Sequence, residues 1–258
     1  MTDELSQIAD LWNSQWTAAP ADVAPILGDR FTAEAYRQIA AAVPCHDATV
    51  LEAGCGTGRF SALLGSAHPN AEVVGIDVSV AALKTATRIA TTLGCRNVRF
   101  REASIFELPF PDDSFDYVFN EGVIPLFSER SSHTHEDAVR EMCRVAKPGG
   151  VVLVSVANWY CLPHTAYKWC VNTLGRGYEL GYEKSFRHEE LRKLLRANGL
   201  HDIRFSGFYP SYGLYRLSRK PLGSLRPVLH RLGTIVDRIE RPWLSRRFGF
   251  QLVATARK

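Results

Sequence analysis

The sequence contains no run of about 18 apolar residues, the shortest stretch that a membrane-spanning helix needs, although 46% of its 258 residues are hydrophobic. We therefore predict no membrane-spanning helix. The amino terminus, residues 1–5, is acidic and lacks the basic segment of a secretory signal peptide. No internal repeat is present. These absences predict a cytoplasmic protein with one buried core, which a chain of this length can readily form.

Cysteine is present, but not in a metal-binding pattern. The six cysteines, at positions 45, 55, 95, 143, 161 and 170, form no C-x-x-C pair and no zinc-type spacing. We therefore expect free thiols in a reducing compartment and predict no metal site.

Glycine is concentrated at one turn. Residues 50–59 predict a short buried strand, a turn with glycines at positions 54, 56 and 58, and the start of a helix. Such a turn lets the backbone approach a ligand closely, and the amides at the helix start can face that ligand. A dinucleotide-binding turn has the pattern G-x-G-x-x-G. Here Arg59 stands where the third glycine would be, which argues against a dehydrogenase.

Three further motifs follow in order. Residues 72–77 predict a strand that ends in Asp77, an acid placed to accept hydrogen bonds from ribose hydroxyls. Residues 104–116 read SIFELPFPDDSFD, and residues 144–150 read RVAKPGG ahead of an apolar strand. Together with Glu52 and the glycine turn, these motifs resemble those of the class I S-adenosylmethionine (SAM)-dependent methyltransferases. The resemblance is to their ubiquinone and menaquinone biosynthesis branch.

Apolar runs alternate with helical patterns and predict an α/β fold. Strands are expected near 49–53, 72–77, 98–102, 116–120, 150–156, 203–207 and 250–256. Helices are expected near 59–66, 79–93, 132–145 and 186–198, the last of them capped by Ser185, and residues 157–169 are expected to be irregular.

The resemblance implies how these elements are arranged. It implies a doubly wound, Rossmann-like sheet of seven strands, mostly parallel with an antiparallel last strand. We expect a single domain over 1–258. It would comprise a helical cap (1–44, including Trp12 and Trp16), a SAM-binding core (45–157), and acceptor-site or lid insertions (158–185 and 208–247), the second of them helical and ahead of the last strand.

The resemblance also implies a role for each residue of the cofactor site. Glu52 would lie beneath the turn and orient the amino end of SAM, and Asp77 would bind the ribose. Ser104 stands where the family usually has an aspartate that accepts from adenine. The predicted cofactor-binding residues are Glu52, Gly54, Cys55, Gly56, Gly58, Asp77, Val78, Ser104, Ile105, Asn120, Glu121 and Gly122.

No catalytic base is evident in the motifs, because this chain has Pro125-Leu126 where relatives often carry a polar pair. Histidine can remove a proton near neutral pH, so the candidates are His133, His135, His164 and Tyr160. A structural role for each histidine, and a reaction without a side-chain base, stay open. The aromatic residues at 159, 160, 167 and 169 are expected to form pocket walls for an apolar or aromatic acceptor.

Basic residues are concentrated near the carboxyl terminus. Residues 187–258 hold 16 Lys and Arg against 5 Asp and Glu, whereas the net charge of the whole chain is only +4. Within this region, positions 222, 225, 228, 229, 232, 235, 236 and 239 form an apolar helical stripe with arginines nearby, and Ser224 is a candidate cap. The stripe can pack on its own domain or on a second subunit, or lie peripherally on an anionic membrane.

The preferred hypothesis is a SAM-dependent methyltransferase that acts on an O, N or C atom of a small or lipid-like acceptor. An RNA methyltransferase is an alternative because of the basic region. However, the N-P-P-Y-type motif and an RNA-binding module are missing, so nucleic acid is not expected as a partner. A non-catalytic SAM-binding or partner module is a second alternative, because Ser104 and Pro125-Leu126 depart from the family pattern. The sequence does not indicate an oligomeric state.

Overall fold

The computed structural model describes residues 9–10, 12–14, 24–127, 133–174, 182–219 and 223–258. Within these ranges, seven strands form one sheet in the order β3-β2-β1-β4-β5-β7-β6. The strands are β1 (Thr49–Ala53), β2 (Glu72–Asp77), β3 (Val98–Glu102), β4 (Phe115–Glu121), β5 (Ala146–Ala157), β6 (His201–Phe208) and β7 (Gln251–Arg257).

The first five strands pair in parallel, and β7 runs antiparallel to both β5 and β6. Leu51 of β1 is in register with Val74 of β2 on one side and with Val118 of β4 on the other. Such a sheet is covered by helices on both faces, which explains the buried apolar runs in central strands such as β1 and β5. The predicted fold, a mostly parallel seven-stranded sheet with an antiparallel last strand, is confirmed.

Helices connect the strands and cover the sheet. In the described ranges they are α1 (Ala24–Leu27), α2 (Arg30–Ala40), α3 (Arg59–Ala67), α4 (Val80–Thr92), α5 (His135–Val145), α6 (Leu162–Thr173), α7 (His188–Ala197), α8 (Tyr212–Arg219), α9 (Arg226–Arg238) and α10 (Pro242–Phe248). Residues 9–10 and 12–14 are also helical. None of these helices is both long and apolar enough to cross a bilayer.

Helix α4 is capped at both ends. The Ser79 hydroxyl accepts a hydrogen bond from the amide of Ala82 at 3.1 Å, and Gly94 takes a left-handed φ of 70° after the last turn. Helix α5 begins at His135 with a capping box between Thr134 and Asp137. The predicted start at residue 132 lies outside the described residues.

The structure corrects two local expectations. Residues 157–169 are not irregular throughout, because helix α6 begins at Leu162 with a proline in its first turn, where proline is tolerated. Helix α7 begins at His188 rather than 186, since Phe186 pairs with Asn158 in a β-bridge. The Ser185 hydroxyl does not cap α7, but accepts a hydrogen bond from Lys168 Nζ at 2.7 Å.

The segment between β6 and β7 forms a small helical layer of its own. Helix α8 packs between α6 and α9, where Tyr167, Val171 and Leu217 form a buried cluster with Leu229 against it. Ser224 lies in a short 3₁₀ turn, and Leu225 takes the cap position of α9. This layer places α8 next to the carboxyl ends of the strands, with α9 behind it.

Candidate active site

The turn after β1 has a shape that only glycine accommodates. Gly54, Gly56 and Gly58 have φ values of 80°, 51° and 65°, in the left-handed region that other residues disfavour. At Gly58, a Cβ atom would also lie 2.5 Å from the Ala86 Cβ and 2.6 Å from the Phe100 ring. The predicted glycine turn therefore has both a conformational and a steric reason.

Glu52 lies beneath this turn and replaces the missing cap of helix α3. The cap residue, Gly58, has no side chain, and the Glu52 carboxylate accepts hydrogen bonds from the Ser61 amide, at 2.9 Å, and from the Ser61 hydroxyl. Glu52 is 1% exposed, and this burial raises its pKa to about 8 against the effect of the two hydrogen bonds. Glu52 thus fixes the start of α3.

Asp77 joins the end of β2 to the glycine turn. One carboxylate oxygen accepts from the amide of Gly56 and the other from the amide of Ser79, each at 2.8 Å. Burial raises the pKa of Asp77, and these hydrogen bonds oppose the rise. A carboxylate has about four lone-pair positions, so Asp77 can still accept hydrogen bonds from a ligand.

A cavity of about 530 Å³ lies at the carboxyl ends of β1, β2 and β4. This is the edge at which open α/β sheets bind ligands, and the volume is that of a small-molecule site. Ten of the predicted cofactor-binding residues border the cavity: Glu52, Gly54, Cys55, Gly56, Asp77, Val78, Ser104, Ile105, Glu121 and Gly122.

A buried pair of opposite charges also borders the cavity. Arg59 Nη2 lies 3.6 Å from Glu121 Oε2. Arg59 Nε and Glu121 Oε1 are buried and have no hydrogen-bond partner among the described residues. Burial raises the pKa of Glu121 to about 7, although the charge of Arg59 opposes the rise. Two residues that border the cavity therefore leave one buried donor and one buried acceptor without a partner among the described residues.

The amino-terminal helices contribute to the cavity as well. Trp12, Asp29 and Phe31 border it. Asn13 Oδ1 accepts hydrogen bonds from the Ser79 hydroxyl at 2.8 Å and from the amide of Ala81 at 3.2 Å, which ties this segment to the start of α4. Trp16 lies outside the described residues.

A second wall of the cavity is made of side chains from separate segments. Tyr212 and Arg216 of α8 border the cavity together with Glu183 and Phe250. The rings of Tyr212 and Phe250 lie 4.1 Å apart, centroid to centroid. The Arg216 guanidinium donates hydrogen bonds at 3.2 Å to the hydroxyls of Tyr212 and Tyr167. This wall thus combines two aromatic rings with one acidic and one basic side chain.

Two basic side chains behind this wall hold Glu183. Its Oε2 atom lies 3.0 Å from His164 Nε2 and 3.2 Å from Lys168 Nζ. Burial opposes the ionisation of Glu183, but these two partners outweigh it and hold the pKa of Glu183 below its usual value. Burial also lowers the pKa of His164. Near neutral pH, an ionised Glu183 therefore borders the cavity with a neutral imidazole behind it.

A family model described as a methyltransferase domain matches residues 46–199, more than half of the chain. The chain belongs to this methyltransferase family. The matched range contains the glycine turn, Asp77 and Glu121, and the family confirms the resemblance drawn from the motifs.

Two similar proteins are demethylmenaquinone methyltransferases. The one from Listeria monocytogenes serotype 4a is 30% identical over 152 residues, which cover 56% of this chain and 62% of that protein. The one from Geobacillus stearothermophilus is 35% identical over 170 residues, which cover 59% of this chain and 70% of that protein. The match thus spans less than two thirds of the length of the Listeria protein.

The fold is also similar to that of a solved methyltransferase. Phosphoethanolamine N-methyltransferase 2 of Haemonchus contortus, in complex with S-adenosyl-L-methionine, superposes with a TM-score of 0.61 at 18% identity. The superposition covers 96% of this chain and 56% of the Haemonchus protein. At this identity the likeness concerns the fold alone.

Two predicted cofactor residues of this methyltransferase do not border the cavity. Gly58 lies at the cap of α3 and contacts Ala86 and Phe100 instead. The expectation that Asn120 lines the cavity is corrected, because its side chain is fully buried. Its amide donates to the Ala53 carbonyl and accepts from the amide of Ile124 at 3.3 Å, so it holds the turn after β4 in place.

The two histidines after β4 are not placed for catalysis. His133 stacks on the outer side of Phe106, with ring centroids 4.7 Å apart, and does not itself border the cavity. His135 is buried at the start of α5, where it meets the Phe186 ring edge to face at 5.4 Å. The prediction that His133 and His135 are catalytic candidates is therefore corrected, because both have structural roles.

The candidates after β5 are also absent from the cavity. The Tyr160 ring packs 5.0 Å from the Arg247 guanidinium. His164 is fully buried and reaches the cavity only through Glu183. The expectation that the other aromatic residues form pocket walls is also wrong. Trp159 and Trp169 are 42% and 67% exposed, and Tyr167 faces α8. Of these residues, Tyr167 and Trp169 lie on helix α6, whereas Trp159 and Tyr160 precede it.

Sequence reasoning did not single out the residues that form the second wall of the cavity. Glu183 lies within the expected insertion 158–185, but no recognised motif contains it, and Phe31 and Phe250 also lie outside every recognised motif. Tyr212 and Arg216 carry the one available signal, since a spacing of four residues places them on one helix face.

Proposed function

We propose that this methyltransferase uses SAM to methylate an O, N or C atom of a small acceptor that is largely apolar or aromatic. One observation carries the proposal: the glycine turn, Asp77 and the Arg59–Glu121 pair surround a single cavity at the carboxyl edge of the sheet. The motif resemblance implies the glycine turn, Asp77 and Glu121 as SAM-binding positions, and we add Arg59 because it borders the same cavity.

The buried polar atoms without partners indicate whether Arg59 and Glu121 fit this cofactor. Buried polar groups without partners are rare in proteins, and they often mark a ligand site. Here they are one guanidinium nitrogen and one carboxylate oxygen, at Arg59 and Glu121. A methionine group carries a carboxylate and an ammonium, the complementary charges. The residues present therefore fit the amino-acid end of SAM.

The other end of the cofactor would be held by residues next to Asp77. The Asp77 carboxylate would accept hydrogen bonds from the ribose hydroxyls. The Val78 and Ile105 side chains would flank the adenine, and the Ser104 hydroxyl would accept from its amino group. All four border the cavity.

When bound, SAM supplies a methyl group that its positively charged sulfur already activates. The task of the protein is then to orient the acceptor, and orientation alone can lower a barrier by several kcal/mol. Phe31, Tyr212 and Phe250 offer apolar faces for this, and they exclude water. Their composition supports a flat or apolar acceptor.

Glu183 is the side chain best placed to receive a proton from the acceptor. It borders the cavity, it is ionised near neutral pH, and His164 and Lys168 fix its position. We propose it in place of the histidines and the tyrosine that the sequence suggests. Arg216 of the same wall would stabilise negative charge on an acceptor oxygen.

The similar proteins support an apolar acceptor, since two of them are named for demethylmenaquinone. Because an apolar acceptor would partition into a bilayer, we place the protein in the cytoplasm and in peripheral contact with an anionic membrane.

Calorimetry with SAM and with its demethylated product, S-adenosylhomocysteine, tests the cofactor part of the proposal. We expect both to bind with dissociation constants between about 1 μM and 1 mM, the range of typical KM values. If neither binds at millimolar concentration, the cavity belongs to another ligand and the proposal fails.

A further inference from the structure

Helix α9 exposes an apolar face that its own domain leaves uncovered. The α9 stripe, which we define as Leu225, Val228, Leu232, Ile235 and Ile239, is exposed to between 46% and 57%. The stripe expected from the sequence is therefore divided. Leu229 and Val236 turn inward and are half-buried, whereas Leu222 lies outside the described residues.

The helix itself is firmly held, so the exposed stripe is not a frayed end. Gly233 lies directly beneath the Tyr215 ring, and the Tyr215 hydroxyl donates to Asp237 at 2.8 Å. Arg30 of α2 forms salt bridges with Asp237 and Glu240. These contacts fix which face of α9 points outward.

Arginines surround the stripe. Six lie between residues 223 and 249, all exposed, and none forms a salt bridge among the described residues: Arg226, Arg231, Arg238, Arg241, Arg246 and Arg247. The two acids of this segment, Asp237 and Glu240, are engaged with Arg30. At about 100° per residue, Arg231 and Arg238 project along the free flank of the stripe. Trp243 of α10, 61% exposed, lies close in sequence.

We propose that the α9 stripe docks this protein onto an anionic lipid bilayer. The apolar side chains would enter the boundary of the acyl chains, while the arginines would contact lipid phosphates from the flank. An exposed tryptophan is typical of such an interface. This proposal rests on the proposed function only for the purpose of the docking, which is to bring the cavity to an acceptor dissolved in the membrane. Helix α8, which borders the cavity, packs directly on α9.

Charge argues against a second copy of this chain as the occupant. The three-and-four spacing of the stripe also suits helix pairing, and a two-fold dimer would place the same patch against itself. Arg231 and Arg238 of both copies would then lie in one interface, with no acid on the flank to pair with them. An anionic surface removes that repulsion.

Co-sedimentation with vesicles tests the proposal. The wild-type protein should bind vesicles of phosphatidylcholine containing about one third phosphatidylglycerol, but not pure phosphatidylcholine, and salt should weaken the binding. Leu232→Glu with Ile235→Glu should reduce the partition coefficient by about tenfold or more. Val80→Glu, at an exposed apolar position of α4, is the matched control and should leave it unchanged.

A second pair of variants tests the arginines. Arg231→Gln with Arg238→Gln should weaken vesicle binding by about fivefold for each charge removed. The same change at Arg96 and Arg99, which are exposed near the opposite edge of the sheet, should have little effect. Asp77→Ala should bind vesicles like the wild type, so failure of methyl transfer and failure of docking are separate results.

Three results would overturn the proposal: wild-type protein that does not bind the anionic vesicles, binding that survives the two glutamate substitutions, or binding as strong on pure phosphatidylcholine. Light scattering supplies a further test, because a wild-type dimer that the glutamate substitutions convert to monomer would show that a second copy covers the stripe. The substituted residues are exposed, and unchanged circular dichroism would verify the fold of each variant.

Discussion

The two walls of the cavity are built in different ways. The wall that we propose for the cofactor comes from consecutive residues in the turns after β1 and β2, where backbone geometry and one acid per turn define it. The wall that we propose for the acceptor comes from single side chains on α2, the segment before α7, α8 and the residue just before β7. A wall made of backbone tolerates few substitutions, whereas a wall made of scattered side chains can change with the acceptor. This difference accounts for recognisable cofactor motifs beside an unrecognisable acceptor site.

The largest effect should come from filling the glycine turn. Gly58→Ala places a Cβ 2.5 Å from Ala86 at a left-handed φ, and it should lower the free energy of unfolding by roughly 2–5 kcal/mol. Gly94→Ala is the control, since it has a similar φ and no neighbour within 4 Å, and it should cost about 1–2 kcal/mol. Urea denaturation measures both. Equal losses would show that the turn is not sterically confined.

The second largest effect should be that of Glu121 on how the free energy of unfolding depends on pH. Its pKa is raised to about 7 in the folded protein from the ordinary value of 4.5, so between these pH values the folded state holds a proton that the unfolded state has lost. The contribution of Glu121 to stability should therefore be full below about pH 4.5, be lost as pH rises through 7, and stay constant above that. Glu121→Gln should remove up to roughly 3 kcal/mol of that loss in the ligand-free protein. Parallel curves for the two proteins would contradict it.

The Asp77 carboxylate should matter for binding more than for folding. Asp77→Ala should weaken the binding of S-adenosylhomocysteine by about 2–3 kcal/mol, the scale for hydrogen bonds to a charged group. Glu102→Ala is the control, because Glu102 is in register with Asp77 on the neighbouring strand but does not border the cavity. Calorimetry on both variants decides. An unchanged affinity in folded Asp77→Ala would place the ribose elsewhere.

The smallest effect should come from restoring the family pattern at the adenine. Ser104→Asp should tighten the binding of S-adenosylhomocysteine by about 1 kcal/mol, because a charged acceptor makes a stronger hydrogen bond than a hydroxyl. Ser104→Asn, similar in shape but uncharged, should not. If the asparagine variant binds as tightly as the aspartate variant, shape rather than charge decides at this position.

The sequence predicted the positions of residues whose hydrogen-bond partners are close in sequence or on the adjacent strand. The glycine turn, Glu52 and Asp77 act through backbone amides a few residues away or on the adjacent strand, so motif spacing alone places them. The sheet was predictable because its central strands, such as β1 and β5, contain apolar runs that the sequence shows directly.

Prediction failed where tertiary packing selects the residue. Glu183 and Phe250 lie far apart in sequence and share the cavity only because α6, α8 and β7 pack together. The aromatic residues after β5 suggested a pocket, but residues from Leu162 onward form a helix that leaves Trp169 in solvent. Asn120 suggested a ligand contact, whereas its amide satisfies the backbone of the turn after β4.

The central claim is that one cavity joins a SAM site to an acceptor site for a small apolar molecule. Methyl-labelled SAM, incubated with the protein and a fraction of organic-extractable metabolites, tests it most directly. The account predicts a labelled small molecule in the organic phase. It also predicts about a hundredfold less product with Glu183→Gln, at unchanged affinity for S-adenosylhomocysteine. Label that appears only in RNA or protein, or full turnover by Glu183→Gln, would contradict it.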